Sequence, residues 1–151
     1  MNRKSGVFFK SMVLVIVLLC LMLGSMNGFL INTANASLLP APTLYAPSNG
    51  ATGVSRPPTF SWSSVSGANY YWLTVAENPS NLPTNPSATN APGCIIGSDG
   101  IGISATSYTP SASLLDPGTT YYWKVQAYHG TSASSSDQQG YYSSQWSFTT
   151  Q

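Results

Sequence analysis

From residue 37 onward the sequence predicts an all-β sandwich of about seven strands. Three observations point there. Apolar stretches are short and alternate with a period of two, Gly, Pro, Asn and Ser separate them at frequent intervals, and no stretch sustains a helical repeat.

Thr43-Leu44-Tyr45, flanked by Pro42 and Pro47, fits an edge strand, where a missing amide donor is tolerated. Asn49-Gly50-Ala51-Thr52-Gly53 reads as a turn, Thr59-Phe60-Ser61-Trp62-Ser63 as the next strand, and Ser66-Gly67 ends a second turn. Residues 69–76 carry the strongest strand signal. They place Tyr71, Leu73 and Val75 on one face and Tyr70, Trp72 and Thr74 on the other. The four prolines within residues 77–92 make that stretch an irregular connection, with short strands expected at Cys94 to Ile96 and near Ser107-Tyr108. Asp116-Pro117-Gly118 is a turn in which proline presets one backbone angle and glycine accepts a positive one. It feeds a long strand over residues 119–128, a polar loop is expected over 129–144, and residues 145–150 close the domain.

The first 36 residues read as a secretion leader. Arg3, Lys4 and Lys10 precede an uninterrupted apolar run from Met12 to Leu23, and Ala34-Asn35-Ala36 puts small residues where a signal peptidase needs them. Cleavage before Ser37 is the expectation. An uncleaved anchor is the alternative, disfavoured because Gly24-Ser25-Met26-Asn27-Gly28 interrupts a span that needs about 20 apolar residues. Cys20 sits inside the apolar run without small residues before it, which argues against lipidation.

The remaining chain, residues 37–151, keeps Arg56 and Lys124 against Glu77, Asp99, Asp116 and Asp137. No basic stripe exists to neutralise phosphates, so neither nucleic acid nor an anionic membrane surface is an expected partner. Cys94 is the single thiol there, so the core must hold by packing alone. Burial of Cys94 is expected because Ile95 and Ile96 follow it.

The run Leu115-Asp116-Pro117-Gly118-Thr119-Thr120-Tyr121-Tyr122-Trp123-Lys124-Val125-Gln126-Ala127 resembles the fibronectin type III signature, in which a leucine, a Pro-Gly turn and a tyrosine introduce the sixth strand. Pro57-Pro58-Thr59-Phe60-Ser61-Trp62 and Gly67-Ala68-Asn69-Tyr70-Tyr71-Trp72-Leu73 resemble the second and third strands of that family, and Trp146-Ser147-Phe148-Thr149-Thr150 the last strand of its bacterial members. The resemblance implies a fibronectin type III, immunoglobulin-like sandwich in an extracellular setting. It also implies a corner in which the Tyr121 ring packs in the core while its hydroxyl bonds to backbone upstream, leaving Trp123, Val125 and Ala127 inward. An antibody-type domain is rejected, since Trp62 and Trp123 stand where its paired cysteines would fall. Two departures matter: residues 78–106 are longer than usual, and the late loop lacks the Arg-Gly-Asp tripeptide of receptor-binding members.

Catalysis finds little inventory. A serine or cysteine nucleophile needs a base, and His129 is the one histidine. One His and one Cys cannot supply a zinc site, Asp99-Gly100-Ile101-Gly102 reads as a glycine-permitted turn rather than a calcium loop, and no cofactor is expected. What remains is recognition by an outward face of Tyr70, Trp72, Tyr122 and Tyr128, which lie together if the third and sixth strands are sheet neighbours as the family implies. Flat rings stack on sugars or anchor a protein, although cross-strand pairing that merely stabilises the sheet explains them equally simply. The expected role is a secreted or cell-surface, non-catalytic binding or spacer module meeting a protein or glycan. The alternative is a structural subunit or fragment of a larger multidomain surface protein.

Overall fold

Alternate apolar side chains on two facing sheets build the core. The structure, a computed structural model, describes residues 37–86, 93–97, 102–131 and 138–151; the leader lies outside the described residues. Eight strands form: β1 (Leu44–Ala46), β2 (Ala51–Val54), β3 (Phe60–Trp62), β4 (Tyr70–Ala76), β5 (Ser107–Tyr108), β6 (Thr120–His129), β7 (Gln138–Tyr142) and β8 (Trp146–Thr150). One sheet has the order β1-β3-β5. The other runs β2-β8-β6-β4, with β7 also paired to β6. All pairs are antiparallel except β2 with β8. The chain is thus an all-β, two-sheet sandwich.

Between the sheets, Phe60 from β3 meets Trp123 edge-on at 5.1 Å and Phe148 at 5.7 Å, while Trp62 packs on Tyr71 at 5.7 Å. Tyr71, Leu73 and Val75 are buried on β4, and Trp123, Val125 and Ala127 on β6, so the alternation read from the sequence fixes which face enters the core. Tyr121 is fully buried, and its hydroxyl oxygen accepts the Asp116 N–H at 2.8 Å, which is the expected corner. Tyr71 makes a second such bond, its oxygen accepting the Val65 N–H at 3.0 Å. Arg56 Nη1 donates to Leu115 O at 2.8 Å and Thr150 Oγ1 to Asp116 O at 2.6 Å, so three separate segments converge on the turn before β6.

Three sequence expectations are corrected. The turn placed at residues 49–53 contains β2, because Ala51 and Val54 pair with Phe148 and Thr150 of the closing strand. That pairing spans about a hundred residues and leaves no local signal. The polar loop of 129–144 contains β7, whose Gln138, Gln139 and Tyr142 pair with β6; residues 132–137 lie outside the described residues. The strand expected at Cys94 to Ile96 shrinks to one bridge between Val75 and Ile96.

β7 and β8 are two halves of one interrupted strand, since they pair with successive parts of β6. At the break the Ser143 side chain replaces backbone: Val125 N–H donates to Ser143 Oγ at 3.0 Å while Ser143 N–H donates to Val125 O at 2.8 Å. The N-terminal chain laces both sheets along this flank. Leu39 bridges Gly140, β1 then pairs with β3, and β2 returns to β8.

Candidate functional site

The β4–β6 ladder brings Tyr70 opposite Tyr128, Trp72 opposite Gln126 and Ala76 opposite Tyr122. The expected neighbourhood of these two strands is therefore present, and it gathers three of the four rings. Tyr70 stacks on Tyr128 at 5.5 Å with 23° between planes, and Trp72 lies on the same ring at 4.2 Å and 30°. Tyr122 stands apart, six residues down β6, which at about 3.3 Å per residue is roughly 20 Å.

The face is not open in the way the sequence suggests. Tyr128 is 0% exposed, while Tyr70, Trp72 and Tyr122 are half-buried. Thr74, Ala76 and Gln126 on the same outward side are buried as well. The cause is the chain's own long connection after β4, which turns through a short 3-10 segment (Pro79–Asn81) and lies back across the sheet. Lys124 Nζ donates to Pro83 O at 3.2 Å, Gln126 Nε2 donates to Pro86 O at 2.8 Å, and Leu82 is buried. The returning chain then follows the outer edge of β4: Ile95 N–H donates to Val75 O at 2.7 Å, Val75 N–H to Ile96 O at 3.2 Å, and Tyr71 exchanges two bonds of 2.8 Å with Ile103. Gly97, at φ +93°, lies so close to Leu73 O that any side chain there would collide with it. The sequence reading took residues 77–92 as an irregular connection and missed this cover; residues 87–92 lie outside the described residues. Leu82, Ile95 and Ile96 were the available signal, being apolar side chains in a segment otherwise polar and proline-rich.

Burial acts on the phenols beneath. It pushes Tyr128 up to about 12, partly offset by the Trp72 indole and reinforced by Tyr70. It also raises Tyr142, with the Cys94 thiol adding to the effect. Cys94 itself is half-buried rather than in the core, its Sγ donating to Asn81 O at 3.2 Å.

The ionisable groups are dispersed. Glu77 follows the last residue of β4, whereas His129 follows Tyr128 at the other end of the ladder, a separation of about 25 Å at 3.3 Å per residue. Asp116 belongs to the tyrosine corner. Asp99 and Asp137 lie outside the described residues. Among the described residues no three of His, Cys, Asp and Glu cluster as metal ligands would, and no helix is long and apolar enough to cross a membrane.

No protein-family model matches the chain, and no curated protein does. Among solved structures it is similar to an α-L-rhamnosidase from Dictyoglumus thermophilum, with 20% sequence identity and a TM-score of 0.46. The match covers 73% of this chain and 12% of that one.

Proposed function

We propose that the chain is an exported, non-catalytic binding or spacer module of the fibronectin type III kind, which meets a protein or glycan at the cell surface through Tyr70 and Trp72. The observation that carries this reading is the three-ring stack. Tyr128 forms a buried platform that fixes two half-exposed rings at 5.5 and 4.2 Å, so they present apolar area with little entropy left to lose on binding. The tyrosine corner at Tyr121 supports the family assignment, and the cationic and apolar segments before Ser37 support export. The wide spacing of Glu77 and His129 weighs against acid–base catalysis.

A glycan and protein array probed with wild type, Tyr70→Ala and Trp72→Ala tests the reading. Both variants remain folded, because the rings they remove lie outside the inter-sheet core, and each loses at least one array ligand that wild type binds. If every array ligand of the wild type binds both variants unchanged, the ring pair is eliminated as the contact.

A further inference from the structure

A second concave site lies on the flank of the sandwich, away from the rings of β4 and β6. The N-terminal chain leaves β7 at Leu39 and joins β3 through β1, and the β7–β8 strand is interrupted at residues 143–145, so the two sheets part locally. The opening is a groove of about 290 Å³ lined by Ala41, Pro42, Thr43, Leu44, Ser144 and Trp146, near the lower limit for small-ligand pockets.

We infer that this groove binds a neutral sugar ring, with Trp146 as the stacking wall. The inference deepens the reading of the chain as an exported binding module by naming a ligand class, but it uses a different surface. Trp146 is half-buried and held perpendicular to Trp123 at 6.0 Å and 89°, so its orientation is set by the core. Its indole N–H, the Thr43 hydroxyl and the Ser144 hydroxyl are neither engaged by another residue nor among the buried polar atoms, and so they remain available as donors.

The chemistry of the lining selects the ligand. A purely apolar ligand would desolvate those three donors without pairing them, which disfavours it. An anionic ligand finds no cation in the lining, since Arg56 is bonded to Leu115 O and Lys124 to Pro83 O. A ring with one apolar face and peripheral hydroxyls satisfies both wall and donors. The surface continuing from Thr43 over β1, β3 and β5 has the same uncharged character: Ser63 lies beside Thr43, Ser61 pairs with Ser107, and Tyr45 is 57% exposed on β1.

Calorimetric titration of the chain from Ser37 to Gln151 with soluble neutral trisaccharides of glucose, N-acetylglucosamine and xylose tests the site. At least one titrates saturably. Trp146→Leu weakens that binding at least tenfold, and Ser144→Arg, an exposed position whose long side chain fills the groove, abolishes it, while Leu114→Ala, at an exposed position outside the groove lining, leaves it unchanged. Thermal unfolding of each variant establishes that it is folded, and Ser144→Arg carries the test should Trp146→Leu fail to fold. Absence of binding by all three sugars overturns the inference. Binding that is lost in Trp72→Ala but survives Ser144→Arg overturns it too, and in that case the Tyr70–Trp72 reading stands.

Discussion

Replacing Tyr121 with phenylalanine removes one oxygen and nothing else, so it isolates the corner from the core. The ring keeps its contact with Phe148 at 5.7 Å, whereas the Asp116 N–H loses its acceptor at 2.8 Å. A net hydrogen bond contributes about 0.5–1.5 kcal/mol, and an N–H left unpaired in a buried setting costs about 1–3 kcal/mol. This corner is only partly buried, which places the loss at about 1.2 kcal/mol. A domain of about 115 residues unfolds with an entropy of roughly 0.24 kcal/mol/K, so the midpoint falls by about 5 °C. Tyr141→Phe, at a phenol 54% exposed, is the control and leaves the midpoint within about 1 °C. Tyr121→Ala, which also removes the ring from the core, costs a further ~3 kcal/mol or more. Calorimetric melting of the three variants reads these shifts. Should Tyr121→Phe melt together with Tyr141→Phe, the hydroxyl does not hold the turn, and the principal support for the family assignment is lost.

Gly140→Ala would set a methyl group 2.7 Å from Ala127 O and 2.9 Å from both Leu39 Cβ and Leu39 O, so the N-terminal segment is pushed off β7. The expected cost is about 1–3 kcal/mol, with faster amide exchange at Tyr141, whose N–H donates to Leu39 O at 2.9 Å; an unaltered melt with retained protection would contradict this. Gln126→Glu removes the donor shared by Pro86 O and Gly140 O and buries a carboxyl facing two carbonyls. Its folded-state pKa then rises, so the variant loses stability as pH climbs from about 5 to 8; a pH-independent difference from wild type would refute that. Tyr128 titrates near 12 when folded and near 10 when unfolded, so the folded state holds its proton longer. The resulting stabilisation is complete below pH 10 and lost as pH rises from 10 towards 12. Absorbance titration of the phenols should show ionisation continuing towards pH 12, against the outcome that it is complete near 10.

The parts of the fold that were legible in the sequence are those whose signal is local. Alternation alone places Tyr71, Leu73 and Val75 inward, and the spacing from Asp116 to Tyr121 is itself the corner. β2 was hidden because Ala51-Thr52-Gly53-Val54 has no strand pattern of its own and exists by pairing with β8. β7 was hidden because Gln138-Gln139-Gly140 is polar, and the bonds that hold it are made by the backbone of β6. Of the candidate site, the sequence correctly assigned four aromatics to one side of two strands, yet it had no means of showing that only three of them meet. The Trp146 groove was less accessible still, because its two walls, residues 41–44 and 144–146, lie about a hundred positions apart.

The half-burial of Tyr70 and Trp72 follows from where the cover runs. The connection starts at the Ala76 end of β4 and is fastened to the sheet at Lys124 and Gln126, through Pro83 and Pro86. The next outward position along β6 is Tyr128, where the rings of Tyr70 and Trp72 stack on the phenol. At that end Asn69 is bonded in both directions to Gly130, at 2.8 and 3.0 Å, which pins the start of β4 to the end of β6 and fixes the frame that carries the rings. A strand whose two faces are both apolar must be covered on both, and β4 meets that requirement with the opposite sheet inside and its own following segment outside. Pro83, Pro86, Ile95, Ile96 and Ile103 are the described points at which that following segment is bonded to β4 and β6. Under the proposed function, the contact surface on that face is the exposed part of Tyr70 and Trp72.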